Sequence, residues 1–350
     1  MKLRLLGSSG LRVSELCLGT MTFGGTAHLY AGEKDCRAVY DAYLAAGGNF
    51  IDTADMYGMG ASESMLGRFM GEDRQRIILA SKYSMNTSPD DPNAGGNHRA
   101  NLVRSLEGSL KRLKTDYLDL YWVHAADGLT PPVEVMRALD DQVRLGKILH
   151  IGVSNAPAWW AAAMNATAEQ RGWTRFTALQ LQYNLAERTI ENAFFPLAKF
   201  QDMAMTAWSP LLFGALTGKY TLSKDGSVEG QGRLGSPGGS RMLNPHSLKV
   251  AQGLQKVADR LDAAPATVAL AWLLHRPAPV IPIVGASKLK QLEQNLSCVE
   301  LALDAGTLAE LDALSPPAPT FPESLLEMPP LRTMIHGSAL ADRLVPWNTN

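Results

Sequence analysis

The feature that most limits the folds open to this sequence is a regular alternation of short apolar segments with amphipathic segments. Eight apolar segments are predicted strands, at 16–20, 49–52, 77–82, 117–124, 148–153, 177–182, 203–208 and 280–284. Helical periodicity follows each of them, at 33–46, 62–70, 98–113, 131–145, 156–170, 189–202, 247–262 and 288–300. Because strands separated by helices run parallel and are covered on their outer face, the alternation predicts an α/β fold built on a parallel sheet.

The parallel sheet can either close into a (β/α)8 TIM barrel or stay open as a doubly wound sheet. No linker rich in proline and glycine divides the eight units into halves. Polar residues stand at the carboxyl ends of the predicted strands, where a barrel builds its site; they are Asp52, Lys82, His124, Ser154, Asn155, Gln180, Trp208 and Ser209. We therefore predict a closed barrel in a single domain over residues 1–350, with the open sheet as the alternative.

Four segments are predicted to lie outside the regular alternation. Residues 1–14 contain the turn sequence Gly7-Ser8-Ser9-Gly10 and are predicted to form a hairpin lid. Residues 264–275, with Pro265 in the first turn, are predicted to be an inserted helix. Residues 223–246 hold six glycines and predict a mobile flap over the barrel mouth. The tail at 315–350 is rich in proline and predicts either a disordered end or a strap across the mouth.

Composition favours small-molecule chemistry. The 33 Lys and Arg residues balance 34 Asp and Glu residues without a basic run, so no nucleic-acid or anionic membrane partner is expected. No apolar run reaches the roughly 18 residues of a membrane span, and the first residues lack the apolar core of a signal peptide, so a cytoplasmic protein is expected. Cys17, Cys36 and Cys298 are widely spaced and predict buried thiols without a disulfide or a metal site.

Four residues near the strand ends form a candidate catalytic group. Asp52 ends one predicted strand, Tyr57 follows five residues later, and Lys82 and His124 end the next two strands. Reduction of a carbonyl by hydride leaves an alkoxide that must be protonated. Tyr57 could supply that proton if the ammonium of Lys82 lowered its pKa, with Asp52 holding Lys82 and His124 donating to the carbonyl oxygen. The alternative chemistry is a Schiff base between Lys82 and a carbonyl substrate.

A nicotinamide site is suggested by the later strand ends. The amides of Asn155 and Gln180 could pair with a carboxamide, and the indole of Trp208 could stack on the ring. A phosphate could sit on Ser287 and Lys288 at the start of the last helix. The alternative interpretation is that Ser154, Asn155 and Ser287 are ordinary turn and capping residues. Residues 230–235 match GxGxxG formally, but they lie in the glycine-rich loop and are rejected as a Rossmann motif.

The sequence resembles the aldo-keto reductase family over essentially its whole length. The matching motifs are Leu18-Gly19-Thr20-Met21-Thr22-Phe23-Gly24, Phe50-Ile51-Asp52-Thr53-Ala54 with Tyr57-Gly58, Ser81-Lys82, Asp116-Tyr117-Leu118-Asp119-Leu120-Tyr121 with His124, Gly146-Lys147, Gly152-Val153-Ser154-Asn155, Gln180 with Gln182-Tyr183-Asn184, Trp208-Ser209-Pro210-Leu211, Leu216-Thr217-Gly218-Lys219-Tyr220 and Gly285-Ala286-Ser287 with Gln291-Leu292 and Asn295. The resemblance implies a barrel enzyme that reduces aldehydes or ketones with NADPH. It also implies that Asp52, Tyr57, Lys82 and His124 are the catalytic four.

The resemblance and the reading of the strand ends together predict a set of cofactor-binding residues. They are Gly19, Thr20, Met21, Asp52, Ser154, Asn155, Gln180, Trp208, Ser209, Pro210, Leu211, Gly214, Lys219, Arg233, Gly285, Ser287, Lys288, Gln291 and Asn295. Some family members carry an arginine at the position of Gln291, so a strict preference for NADPH over NADH does not follow. Ala125-Ala126-Asp127 after His124 also departs from the Trp-Pro of many members, so substrate preference does not carry over.

The substrate pocket is predicted to be apolar and adaptable, which favours aromatic or medium-chain carbonyls. Its expected lining is Met21, Phe23, Tyr30, Tyr83 and Met85, together with the C-terminal tail. The alternative to an enzyme is a regulatory subunit that senses the cofactor, since some relatives of the family serve channels in that way. The sequence indicates neither the physiological substrate nor the oligomeric state.

Overall fold

Strands and helices alternate along this protein, and eight of the strands close into a parallel barrel. The computed structural model describes residues 1–24, 30–222, 228–230, 243–326 and 328–337. Its strands are β1 (Leu3–Leu5), β2 (Arg12–Ser14), β3 (Cys17–Gly19), β4 (Phe50–Asp52), β5 (Ile78–Tyr83), β6 (Leu118–Val123), β7 (Ile148–Ser154), β8 (Phe176–Gln182), β9 (Ala204–Trp208), β10 (Tyr220–Leu222), β11 (Val228–Gly230) and β12 (Val280–Gly285). The barrel follows chain order from β3 to β9, and β12 closes it by pairing with β9 and β3. The predicted (β/α)8 barrel is confirmed, and the open sheet was the wrong alternative.

Helices cover the outside of the barrel. They are α1 (Glu33–Ala45), α2 (Ala61–Met70), α3 (Arg99–Leu113), α4 (Pro132–Arg144), α5 (Ala158–Arg171), α6 (Ile190–Gln201), α7 (Pro245–Arg260), α8 (Pro265–Leu274), α9 (Leu289–Leu296), α10 (Ala305–Ala313), α11 (Glu323–Leu326) and α12 (Pro329–His336). Alternate residues of each strand face opposite ways. Phe50 and Ala80 pack in the barrel interior, whereas Ile51 and Leu79 pack against the helices. The same alternation turns Asp52 and Lys82 inward.

The N-terminal hairpin closes the end of the barrel opposite to the mouth. β1 and β2 pair antiparallel as predicted, and Leu6 and Val13 are fully buried in the interior cluster. Ser8 donates from its amide to the carbonyl of Asp202, just before β9 begins, at 2.7 Å. Gly7 has φ +55°, and a Cβ there would lie 2.3 Å from the carbonyl oxygen of Thr177, so this turn requires glycine. The hairpin is therefore a lid on the amino ends of the strands.

The assignment of residues 264–275 as the inserted helix was wrong. α8 contacts β12 directly, whereas α7 contacts α8, α10 and β10 and is the outer helix of the pair. Pro265 occupies the first turn of α8, as predicted. The burial pattern follows from this placement, since α8 is buried from Ala266 to Leu273 while α7 exposes one face to solvent. A short helix that is apolar on all sides belongs between two layers of structure, not on the surface.

The two irregular segments are described only in part. In the glycine-rich segment, β11 pairs antiparallel with β10, and residues 223–227 and 231–242 lie outside the described residues. The flap therefore stays a prediction. In the tail, the carbonyl of Ala318 accepts a hydrogen bond from Nδ2 of Asn192 in α6, and α11 and α12 follow with mostly exposed side chains. A position over the mouth stays a prediction as well.

The three cysteines are buried and free, as the sequence predicts. Within the ranges that the structure describes, no helix has the length and apolar character needed to cross a membrane.

Candidate active site

Lys82 lies at the centre of a polar cluster inside the barrel mouth. Neighbouring strands bring it there, because Asp52 on β4 is paired with Ala80 on β5, two residues before Lys82. The ammonium is fully buried and donates to the carboxylate of Asp52, to the carbonyl of Thr53 at 2.8 Å and to the hydroxyl of Tyr57 at 3.2 Å. Burial by itself would lower the pKa of Lys82, but Asp52 and Tyr57 more than offset it and the pKa lies above its ordinary value. Lys82 is therefore a charged ammonium at neutral pH.

Tyr57 begins a short 3-10 turn, Tyr57–Gly60, on the loop that follows β4. Gly58 has φ +56°, so the turn needs a residue that tolerates the left-handed conformation. Burial raises the pKa of Tyr57, and although the ammonium of Lys82 opposes this, the pKa remains above its ordinary value. The predicted lowering of this pKa by Lys82 is confirmed in direction, but burial outweighs it in the protein alone. Tyr57 consequently keeps its proton at neutral pH.

His124 lies directly after β6 and meets Tyr57 edge to face, with the ring centroids 6.0 Å apart and the planes at 83°. The imidazole is mostly buried, and its Nδ1 has no hydrogen-bond partner among the residues that the structure describes. Burial, with the charge of Lys82 adding to it, lowers the pKa of His124 to about 3. The ring is therefore neutral at physiological pH and carries one N–H that it can donate.

The predicted nicotinamide clamp and the catalytic four are joined by hydrogen bonds. Gln180 donates from Nε2 to Oδ1 of Asp52 at 3.0 Å. Asn155 donates from Nδ2 to the carbonyl of His124 at 2.9 Å, and its Oδ1 accepts from Nε1 of Trp208 at 3.1 Å. The structure therefore brings together the residues at the ends of β4, β5, β6, β8 and β9, together with Asn155 just after β7.

Ser154 differs from Asn155, Gln180 and Trp208 in that its side chain makes none of these hydrogen bonds. Its hydroxyl is buried at the end of β7 and has no hydrogen-bond partner within the described ranges. A buried hydroxyl without a partner is costly, so such a group suggests a ligand that is absent from the protein alone.

Further residues predicted to bind the cofactor, including Ser287 and Lys288 as the predicted phosphate contacts, follow β12 and β9. Gln291 accepts at Oε1 from the amide of Ser287 at 3.0 Å and from its hydroxyl at 3.1 Å, and so ties the first turn of α9 to the segment that leads into it. Lys288 is exposed at the N-terminal cap of the same helix. Asn295 is buried within α9 and Gly285 is exposed at the end of β12. Ser209, Pro210, Leu211 and Gly214 lie in the turn that follows β9, and Lys219 is exposed beyond it.

The remaining predicted contacts lie at the end of β3 or outside the description. Gly19 ends β3, where a Cβ would lie 2.6 Å from Cγ2 of Ile283. The hydroxyl of Thr20 donates to the carbonyl of Asp52 at 3.1 Å, and Met21 is exposed. Arg233 lies outside the described residues.

Two residues of the predicted substrate pocket were wrong. Phe23 and Tyr83 are fully buried in the layer between the barrel and the helices, where Tyr83 stacks on Tyr121 with centroids 5.3 Å apart. For Tyr83 the reason is strand alternation, because Lys82 faces inward and the next residue must face outward. Met21 is exposed and Tyr30 and Met85 are half-buried, so these three remain available to line a pocket.

Two buried polar residues near the site were not selected from the sequence. Asp55 is almost fully buried with no hydrogen-bond partner for its carboxylate among the described residues, and burial, with Glu63 adding to it, raises its pKa to about 7. Asn97 lies in the loop between β5 and α3 and bonds to Ser84 in the same loop and to Ala125 in the segment after β6. Asp55 could have been found from its position three residues after Asp52. Asn97 gave no signal, since its loop has no periodicity.

This chain is similar in sequence to proteins of one family over most of its length. The sequence profile of the Aldo/keto reductase family matches residues 15–316. A norsolorinic acid reductase of Emericella nidulans is 36% identical over 329 residues, which cover 91% of this chain and 82% of that protein. An uncharacterized oxidoreductase of Bacillus subtilis is 37% identical over 331 residues, covering 90% of this chain and 96% of that protein. An aryl-alcohol dehydrogenase of Pestalotiopsis microspora is 33% identical over 319 residues, covering 88% of this chain and 81% of that protein. This chain belongs to the aldo/keto reductase family and is an oxidoreductase that acts on carbonyl and alcohol groups.

Proposed function

We propose that this protein reduces aldehydes or ketones to alcohols with NADPH, and that Tyr57 donates the proton. The observation that carries the proposal is the contact between Tyr57 Oη and the buried ammonium of Lys82 at 3.2 Å, with His124 packed edge to face on the same phenol. A phenol that is protonated at rest and lies beside a fixed positive charge has both the proton and the means to lose it.

The nicotinamide fits the wall formed by Ser154, Asn155, Gln180 and Trp208. Members of this family typically use NADH or NADPH, and the cofactor supplies the hydride when it is bound. The fit rests on the hydroxyl of Ser154, which is buried without a partner among the described residues and could pair with a carboxamide. Asn155 and Gln180 add amide groups, and the half-buried indole of Trp208 offers a face for stacking.

The proposed preference for NADPH over NADH is based on the residues at the start of α9. Lys288 is a cation at the cap of this helix, whose N-terminal amides also attract an anion. The amide and hydroxyl of Ser287 both donate to Oε1 of Gln291, which holds that side chain so that its Nε2 hydrogens could donate to a phosphate. The further contacts proposed are Gly19, Thr20, Met21, Asp52, Ser209, Pro210, Leu211, Gly214, Lys219, Arg233, Gly285 and Asn295.

The proton moves through residues of this chain alone. Tyr57 releases its proton from Oη to the substrate oxygen, and Lys82 stabilises the resulting phenolate. Asp52 and the carbonyl of Thr53 keep the ammonium directed toward Tyr57. His124, neutral because its pKa is depressed to about 3, donates its N–H to the carbonyl oxygen and sets its orientation.

Lys82 is poorly suited to the alternative Schiff-base chemistry. A lysine that attacks a carbonyl must be a neutral amine, whereas burial is offset here and the pKa of Lys82 lies above its ordinary value. All three hydrogens of the ammonium are also committed to Asp52, Thr53 and Tyr57. Reduction is therefore the chemistry that the site supports best.

Aromatic carbonyls are the proposed substrate class. Relatives of this chain are a norsolorinic acid reductase and an aryl-alcohol dehydrogenase, and Met21, Tyr30 and Met85 offer an apolar, adaptable lining. The test is a screen of NADPH oxidation with aromatic, aliphatic and sugar aldehydes. We expect kcat/KM for 4-nitrobenzaldehyde to exceed that for a sugar aldehyde. Tight NADPH binding without turnover of any carbonyl would instead support a cofactor-sensing subunit.

A further inference from the structure

A buried asparagine holds the main chain on both sides of His124, although the proposed chemistry gives it no role. Asn97 is fully buried in the loop between β5 and α3. Its Nδ2 donates to Oγ of Ser84 at 2.9 Å and to the carbonyl of Ala125 at 2.8 Å, and its Oδ1 accepts from the amide of Asp127 at 2.8 Å. Both amide hydrogens and the amide oxygen are therefore in use.

The partners of Asn97 adjoin His124. Ala125 follows His124 directly, and Ser84 accepts from the amide of His124 at 3.2 Å while Tyr83 accepts from the same amide at 2.9 Å. Asp127 and Asn97 are joined by a second hydrogen bond, since Oδ2 of Asp127 accepts from the main-chain amide of Asn97 at 2.7 Å. Asn97 thus ties the end of β5 to the segment that begins immediately after His124.

The imidazole itself has little else to fix it. Its Nδ1 has no hydrogen-bond partner in the described part of the chain, and within the site the ring packs edge to face on Tyr57. Where a ring is not held by a hydrogen bond of its own, its position follows the main chain that carries it. A displacement of about 1 Å in a group that orients a substrate can cost about a hundredfold in rate.

We propose that Asn97 is a positioning residue for His124. Through Ser84 and Ala125 it fixes the main chain of His124, and so fixes where the imidazole N–H meets the substrate carbonyl. The inference rests on the proposed function, in which His124 contacts that oxygen. Asn155 donates to the carbonyl of His124. The main-chain N–H of His124 is therefore held by way of Ser84 and Asn97, and its carbonyl is held by Asn155.

A double-mutant cycle tests whether Asn97 acts through His124. We would measure kcat/KM for 4-nitrobenzaldehyde, NADPH affinity and Tm for the wild type, Asn97→Ala, His124→Ala and the double variant. Asn97→Ala should lower kcat/KM by about 10- to 100-fold in the wild-type background. In the His124→Ala background the further loss should be no more than about twofold, because the residue through which Asn97 acts is already absent. The loss of Tm should be the same in both backgrounds.

Two further variants keep the test decisive. Asn86→Ala is the matched control, since Asn86 is an exposed residue of the same loop that bonds to Ser88 and Asp91 and not to Ser84 or Ala125, and it should leave kcat/KM unchanged. If Asn97→Ala does not fold, Ser84→Ala removes only the bridging hydroxyl and enters the same cycle. Equal losses in both backgrounds, or no loss in the wild-type background, would overturn the inference. Full activity of His124→Ala would instead overturn the proposed role of His124, and the inference with it.

Discussion

Gln180 on β8 reaches across the barrel and donates a hydrogen bond to Asp52 on β4 at 3.0 Å. Both side chains are buried, and Asp52 in turn accepts from Lys82 through its other oxygen. The two carboxylate oxygens are thus divided between a neutral amide and a charged ammonium, which leaves Asp52 well satisfied inside the barrel. Gln180, which is predicted to bind the cofactor, therefore also positions Asp52, the carboxylate that accepts from Lys82.

Gln180→Met should reduce the rate of the reduction step even when NADPH is saturating. The substitution keeps much of the side-chain length but removes the amide, so Asp52 loses one of its two partners and its hold on Lys82 weakens. We expect about a tenfold loss in single-turnover rate, of the size of one hydrogen bond to a charged group, in addition to weaker NADPH binding. Weaker NADPH binding with an unchanged single-turnover rate would show that Gln180 serves the cofactor alone.

Tyr57→Phe should preserve NADPH binding and remove most of the activity. The ring still packs against His124, but the proton donor is lost, which typically costs about 10²- to 10⁴-fold. Lys82→Met should cause a similar loss, and the double variant should fall little further because the two groups act as a unit. Single-turnover NADPH oxidation, measured with NADPH affinity for all four proteins, checks this. If Tyr57→Phe kept more than about a tenth of the rate, the acid would lie elsewhere.

Lys288→Ala should weaken the binding of NADPH more than that of NADH. The two cofactors differ by one phosphate, and Lys288 is a cation at the cap of α9. Fluorescence titration of both cofactors gives the ratio of affinities. Lys290→Ala is a suitable control, since this exposed lysine lies two residues further along the same helix. Equal losses for NADH and NADPH would remove the proposed role.

Asp55→Asn should stabilise the protein relative to the wild type, and by more at pH 8 than at pH 5. Burial raises the pKa of Asp55 to about 7 in the folded state, so the folded protein holds a proton that the unfolded chain has released. Stability from this group is present at low pH and is lost as the pH rises from about 4 to 7, by an upper limit of about 4 kcal/mol. The neutral amide avoids that loss.

Urea denaturation of the wild type and Asp55→Asn at pH 5, 6, 7 and 8 measures the effect. The difference in free energy of unfolding should grow with pH and level off above pH 7. Asp90→Asn, in an exposed loop, should show no such trend. A difference that does not change with pH would mean that Asp55 is not protonated in the folded protein.

The sequence by itself determined the barrel and the residues that meet at its mouth. Alternation of apolar strands with helices leaves few ways to bury both, and parallel strands necessarily place their carboxyl ends at one edge. Asp52, Lys82 and His124 could therefore be predicted to converge from strand positions alone, with Tyr57 on the loop beside them. The resemblance to a family added the cofactor residues, which strand ends only suggested.

Only the tertiary structure decided how these residues are held and in which state. The pKa of Tyr57 depends on whether burial or the charge of Lys82 is stronger, and both depend on packing that the sequence does not display. The bond from Gln180 to Asp52 spans 128 positions, and Asn97 reaches its partners from a loop without periodicity. α8 lies beneath α7 for the same kind of reason, because contacts between distant segments select which apolar helix is covered on both sides.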